Sequence, residues 1–118
     1  MTKYNESVYN MMLDSFNESV GEDQETLCKF LIPFSRAARS LSVLPIQEVL
    51  VDVSTGRPLI DFDIVLPLNI MLSVRLNRYD GSDDVQYSIS RNHDVIDVGV
   101  MGLDNLIDGI LKQFQFLC

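Results

Sequence analysis

Residues 59–77 read LIDFDIVLPLNIMLSVRLN, and their alternation decides the fold. Ile60, Phe62, Ile64, Leu66, Leu68, Ile70, Leu72, Val74 and Leu76 are apolar at every even position. Asp61, Asp63, Val65, Pro67, Asn69, Met71, Ser73, Arg75 and Asn77 fill the odd ones and are mostly polar. A period of two places one set on each face of a sheet, so the even residues line the core. The phase continues through Pro67, which bears on topology. A two-residue hairpin there would pair Val65 with Leu68 and reverse the phase. One long strand from about Leu59 to Asn77, bent near Pro67, is therefore the favoured reading. A three-residue connection would also preserve the phase and is the alternative, giving two strands.

Outward from this segment the strand pattern continues on both sides. Val49, Val51 and Val53 alternate with Glu48, Leu50 and Asp52, and Ser54-Thr55-Gly56-Arg57 supplies a turn. Asp80-Gly81-Ser82-Asp83 is a second turn, followed by Val85, Tyr87 and Ile89 on alternate positions. A close connection at Arg91-Asn92 leads to a last strand, whose buried side is expected to carry Ile96, Val98 and Val100.

The flanks are helical. Tyr4, Val8, Met11, Met12, Phe16 and Val20 recur at steps of three and four, and Gly21 is a stop signal. The acidic run Glu22-Asp23-Gln24-Glu25 suits the positive end of a second helix, with a face of Leu27, Cys28, Leu31, Phe34, Ala38 and Leu41. Pro33 is expected to kink that helix or to open a short third one. Leu103, Leu106, Ile107, Ile110, Leu111 and Phe114 form the cleanest amphipathic stripe, in a final helix where Gly109 is expected to permit close packing on the sheet. The fold class is α+β. N-terminal helices precede an antiparallel four- to five-stranded meander with one long bent strand, and an amphipathic helix ends the chain. Residues 1–118 form a single domain.

Composition narrows the function. The 118 residues are 47% hydrophobic and 22% charged, with a formal net charge of −8. That much apolar surface offsets the entropy of ordering the chain, so disorder is a poor reading. The negative balance and scattered basic residues argue against direct binding to nucleic acid or to anionic membrane. No apolar run approaches the ~20 residues of a membrane span, and no leader segment is visible at the start. Cys28 and Cys118 lie far apart, outside any metal-ligand spacing, and Cys28 on an apolar helix face is expected to be a buried free thiol. A reducing cytoplasm is the expected compartment.

Chemistry-bearing residues are few. His93 is the sole histidine, placed in a polar hairpin without an identified nucleophile to serve, so a solvated loop side chain is the simpler reading. Asp61 and Asp63 share a strand face and could hold a divalent cation with Asp52, Asp94 or Asp97, although no third ligand is set by spacing. The glycines form no phosphate-cradling loop. No catalytic residue, metal or cofactor is assigned.

The acidity itself is uneven. Between residues 80 and 108 stand Asp80, Asp83, Asp84, Asp94, Asp97, Asp104 and Asp108, against Arg91 alone among basic residues. Turn and helix-start preferences explain some of them. If the fold gathers them on one side, they form a negative surface that fits a basic groove. The leading expectation is thus a non-enzymatic protein-binding module, an inhibitor or adaptor. Its Asp-rich face would dock on a basic partner protein such as a nucleic-acid-binding enzyme. A self-associating structural or chaperone-like dimer, burying a leftover apolar stripe, is the first alternative. A metal-dependent enzyme using the Asp cluster is the second.

Overall fold

The computed structural model describes residues 5–54, 59–77 and 84–117. Two helices, α1 (Glu6–Val20) and α2 (Gln24–Leu41), precede five strands: β1 (Glu48–Ser54), β2 (Leu59–Leu66), β3 (Ile70–Asn77), β4 (Asp84–Arg91) and β5 (Asp94–Gly102). Helix α3 (Leu103–Leu117) follows β5 directly. The strands form one antiparallel sheet in the order β1-β2-β3-β4-β5, a plain meander. The expected α+β class is therefore the observed one.

Residues 59–77 are two strands, which corrects the expectation of a single bent one. Leu66 pairs with Ile70, leaving Pro67, Leu68 and Asn69 as the connection. Three residues between paired partners keep every even side chain on the same face, so parity could not reveal the reversal. The turn uses positive φ at Leu68 (67°) and Asn69 (60°). Asparagine accepts that conformation readily, whereas leucine does so at a cost. Leu68, in phase with the core residues, is half out in solvent at the turn tip.

The helix starts follow local chemistry. Asn5 Oδ1 accepts from the Val8 amide (3.2 Å), and Asp23 accepts from both the amide and the hydroxyl of Thr26 (3.2 and 2.7 Å). These bonds satisfy amides that the first helical turn leaves without partners. At the end of α1, Gly21 adopts φ 67° and returns its amide to the Asn17 carbonyl. Helix α2 runs unbroken through Pro33, so no third N-terminal helix forms. Its inner face is Thr26, Phe30, Phe34, Ala37, Ala38 and Leu41, turned from the expected stripe; Cys28 is exposed, not buried.

Stacked rings join the layers. Phe16 of α1 lies 4.2 Å from Phe34 of α2, and Phe34 lies 5.8 Å from Phe62 of β2. The inner sheet face adds Val51, Ile60, Ile64, Leu66, Leu72 and Val74, all nearly or fully inaccessible to solvent. Leu106, Ile107 and Ile110 of α3 join the same core, as its stripe implied. Gly109 does not assist that packing: it is exposed, and a Cβ there would meet nothing within 4 Å.

The two edges of the sheet are treated differently. Along β1, α1 supplies hydroxyls to the free backbone groups. The Val51 amide donates to Ser15 Oγ (2.7 Å) and the Val53 amide to Ser19 Oγ (2.8 Å), while Ser19 Oγ donates to Asp52 (3.2 Å). The helix thus closes an edge that would otherwise template strand pairing. No described strand pairs with the far side of β5.

Candidate functional site

The last strand carries the largest departure from the sequence reading. A regular hairpin through the Asn92-His93 turn would set Ile96, Val98 and Val100 opposite Ile89, Tyr87 and Val85, on the core face. Instead the register slips by one residue. Arg91 pairs with Asp94 and Ser90 with Val95, but Ile89 pairs with Asp97, which leaves Ile96 as the extra residue of a bulge. One inserted residue moves every later side chain to the opposite face. Val98 and Val100 now stand across from Ser88 and Gln86 on the outer face, and Asp97, Gly99 and Met101 take the inner positions.

Side chains on the inner face accommodate the bulged register. The Tyr87 ring lies against Gly99, where a Cβ would sit 3.2 Å from its hydroxyl oxygen and 3.3 Å from its ring edge. The hydroxyl donates to Asp97 Oδ2 at 3.1 Å. Burial, then the bond to Asp97 and its charge, push the Tyr87 phenol above its ordinary value of 10. Outside, Val95, Ile96, Val98 and Val100 are 62%, 54%, 64% and 62% exposed, an apolar strip on an open edge. Soluble chains usually place charge or proline on such an edge, or cover it.

The seven aspartates fall into groups. Asp80 and Asp83 lie outside the described residues. Asp84 pairs with Gly102 at the end of β5 where α3 begins, Asp104 stands in the first turn of that helix, and Asp108 is one turn further on. All three are exposed. Asp94 opens β5 at its other end, beside the Asn92-His93 turn, and Asp97 is engaged by Tyr87. Eight strand steps separate Asp94 from Gly102, roughly 25 Å. Within one copy, then, Asp84, Asp104 and Asp108 stand at one end of the apolar strip and Asp94 at the other, while Asp97 lies mid-strand on the inner face against Tyr87.

Asp52, Asp61 and Asp63 lie together on the outer face, in a cleft of about 380 Å³ shared with Ser73, Arg75, Gln86 and Ser88. Asp61 accepts from Arg75 Nε (2.8 Å) and Asp63 from Ser73 Oγ (2.8 Å), while Asp52 accepts from Ser19. The Asp61 hydrogen bond and charge raise the Arg75 pKa further above its already high value. Among the described residues no three His, Cys, Asp or Glu side chains converge as ion ligands. His93 is exposed in its turn with φ 70°, and the neighbouring Asn92 is tied to Asn69 of the other turn (3.2 Å).

No described helix is long and apolar enough to cross a membrane. Comparison with protein-family models, curated proteins and solved structures gives no match to this chain.

Proposed function

We propose that the chain is a non-enzymatic protein-binding module, an inhibitor or adaptor, that docks through the β5 side of its sheet. One observation carries this reading: four large β-branched side chains are more than half exposed on a strand whose outer edge has no partner among the described strands. Contiguous apolar surface rimmed by polar groups marks interaction sites. An open strand edge adds a row of backbone donors and acceptors for β-augmentation.

The aspartates contribute the rim. Asp84, Asp104 and Asp108 at one end of the strip and Asp94 at the other, with Asp97 mid-strand on the inner face, suit a partner whose surface is basic, such as a nucleic-acid-binding enzyme. On this reading the strip supplies affinity and the aspartates supply orientation and steering. The test compares native-lysate capture by the protein and by two variants, Val98→Lys and the pair Asp94→Asn with Asp97→Asn, at low and physiological salt. A specific partner that is lost with Val98→Lys, and weakened by salt and by the Asn pair, supports the proposal. A capture profile unchanged in all these comparisons removes it.

A further inference from the structure

We propose that β5 is a register switch controlled by Tyr87. The contact of Tyr87 with Gly99 and Asp97 holds the bulged register that displays Val98 and Val100. Loss of that contact returns β5 to the regular hairpin, with both valines on the inner face. This rests on the reading that the outward strip is the docking face, and it names what controls that face.

The two registers differ by one residue. Both keep the Asn92-His93 turn and the pairs Arg91 with Asp94 and Ser90 with Val95. That turn has positive φ at both central residues (53° and 70°), as a two-residue hairpin loop requires, and it serves either register. Beyond it the bulged strand passes over Ile96 and sets Asp97 opposite Ile89, whereas a regular ladder sets Ile96 there. Val98 would then face Tyr87 instead of Ser88, and Val100 would face Val85 instead of Gln86. Val85, Tyr87 and Ile89 are all buried, so the regular register gains apolar cross-strand pairs that the bulged one lacks. Burial of β5 itself does not fix the choice, because residues 94–100 are exposed, and register is strongly specified only where one face is buried. Among the described strands β5 pairs with β4 alone, so a slip breaks one ladder and not two.

The space beside Tyr87 selects the bulged register. A Cβ on the residue opposite, Gly99, would lie 3.2 Å from the Tyr87 hydroxyl oxygen, 3.3 Å from Cε1 and 3.4 Å from Cζ. Glycine fits against the ring and valine does not, so Val98 can take that place only when the ring swings away. The Tyr87 hydroxyl holds the ring there by donating to Asp97 Oδ2 (3.1 Å). In the regular register Asp97 would face Ser88 on the outer side, and this bond would be lost. Ring and strand therefore move together, which gives two discrete arrangements. Leu106, Ile107 and Ile110 keep α3 in the core. The residue released from the bulge passes to the β5–α3 junction at Gly102, where even a Cβ would make only ordinary contacts.

Gly99→Val tests the switch. In the bulged register its side chain would collide with the Tyr87 ring, whereas in the regular register position 99 lies on the outer face opposite Gln86. The variant should therefore fold with β5 in the regular register. Cross-strand nuclear Overhauser contacts read the outcome: Val98 lies opposite Ser88 in the wild type and should lie opposite Tyr87 in the variant, a shift of one residue. Deletion of Ile96 should lock the displayed register, because Asp97 then meets Ile89 in an ordinary ladder. In that background Gly99→Val has no second register to adopt. Its loss of melting midpoint should be larger there than in the chain that keeps Ile96.

Val98 remaining opposite Ser88 in Gly99→Val overturns the proposal, as does an equal loss of midpoint with and without Ile96. If Gly99→Val does not fold, Tyr87→Val decides by the same contacts, since it removes the ring and leaves β5 unaltered. Failure of both chains to fold also overturns the proposal, because the second register would then be unable to receive them. Lysate capture separates the switch from the docking reading. Capture should survive deletion of Ile96 and be lost with Gly99→Val. If the contacts shift in Gly99→Val while capture is unchanged, the docking reading fails and the switch stands. If the contacts do not shift yet Val98→Lys still abolishes capture, the switch fails and the docking reading stands.

Discussion

Replacing Gly109 by alanine should make this protein more stable. The position lies inside α3, six residues past its start, and it is exposed. An added methyl group would meet no atom within 4 Å. Its φ is not in the positive region that favours glycine. Nothing in the folded chain therefore offsets glycine's conformational freedom in the unfolded one, and alanine should gain about 0.8–1.0 kcal/mol. With an unfolding entropy of about 2.1 cal/mol/K per residue, a chain of 118 residues has a transition entropy near about 0.25 kcal/mol/K. The midpoint should thus rise by about 3–4 °C. Differential scanning calorimetry and urea denaturation, with the m-value compared, would measure it; an unchanged m-value assigns the gain to stability and not to altered compactness. A midpoint that stays level or falls would refute the reasoning, because it would mean that the outer side of α3 is in contact with something and that glycine is needed for close approach.

Three further expectations follow from particular contacts. Ser15→Ala removes the acceptor for the buried Val51 amide and should cost about 1–3 kcal/mol in chemical denaturation; a loss of only a few tenths would mean that water reaches this edge. Leu68→Gly relieves a leucine held at φ 67° on an exposed turn and should stabilise by about 1 kcal/mol, with no gain indicating a different turn in solution. Tyr87 is held protonated above the ordinary phenol range by burial and by Asp97. Its contribution to stability is thus complete below the unfolded value near 10 and falls as pH rises from there through the folded pKa. Tyr87→Phe should remove that alkaline decline in stability–pH measurements, and an unaltered decline would assign it to other groups.

Much of this architecture was legible in residue order, and the exceptions share a cause. The α+β class, the two N-terminal helices, the inner faces of β2 and β3 and the stripe of α3 all follow from periodicity, because burial selects the same face that sequence spacing marks. Asp23 and Gly21 mark helix boundaries through bonds and dihedrals that belong to those residues. The reversal at Pro67–Asn69 escaped because a three-residue turn preserves parity, so a hairpin and a bent strand have identical patterns. Cys28 and Gly109 were misplaced for another reason: a helical stripe defines a broad arc, and the neighbours that α2 and α3 meet decide which part of it is buried. Ser15 and Ser19 carried no recognisable signal beyond their spacing of four, since an edge-capping hydroxyl has value only once β1 lies beside α1.

The candidate site depended most heavily on contacts remote in the chain. Residue order was enough to specify an acidic chain with one sheet, its core residues and an aspartate-rich final third, because charge and hydrophobic period are carried by the chain itself. The outward orientation of Val98 and Val100 arose only when the strands were packed together. Their spacing assigned them to the core, but the Tyr87 ring against Gly99 and the hydroxyl on Asp97 accommodate the opposite register, and the bulge at Ile96 makes the exchange of faces. A single residue of slip changed a buried strand into an exposed one, because side chains alternate with a period of two and the backbone tolerates one extra residue without breaking the sheet.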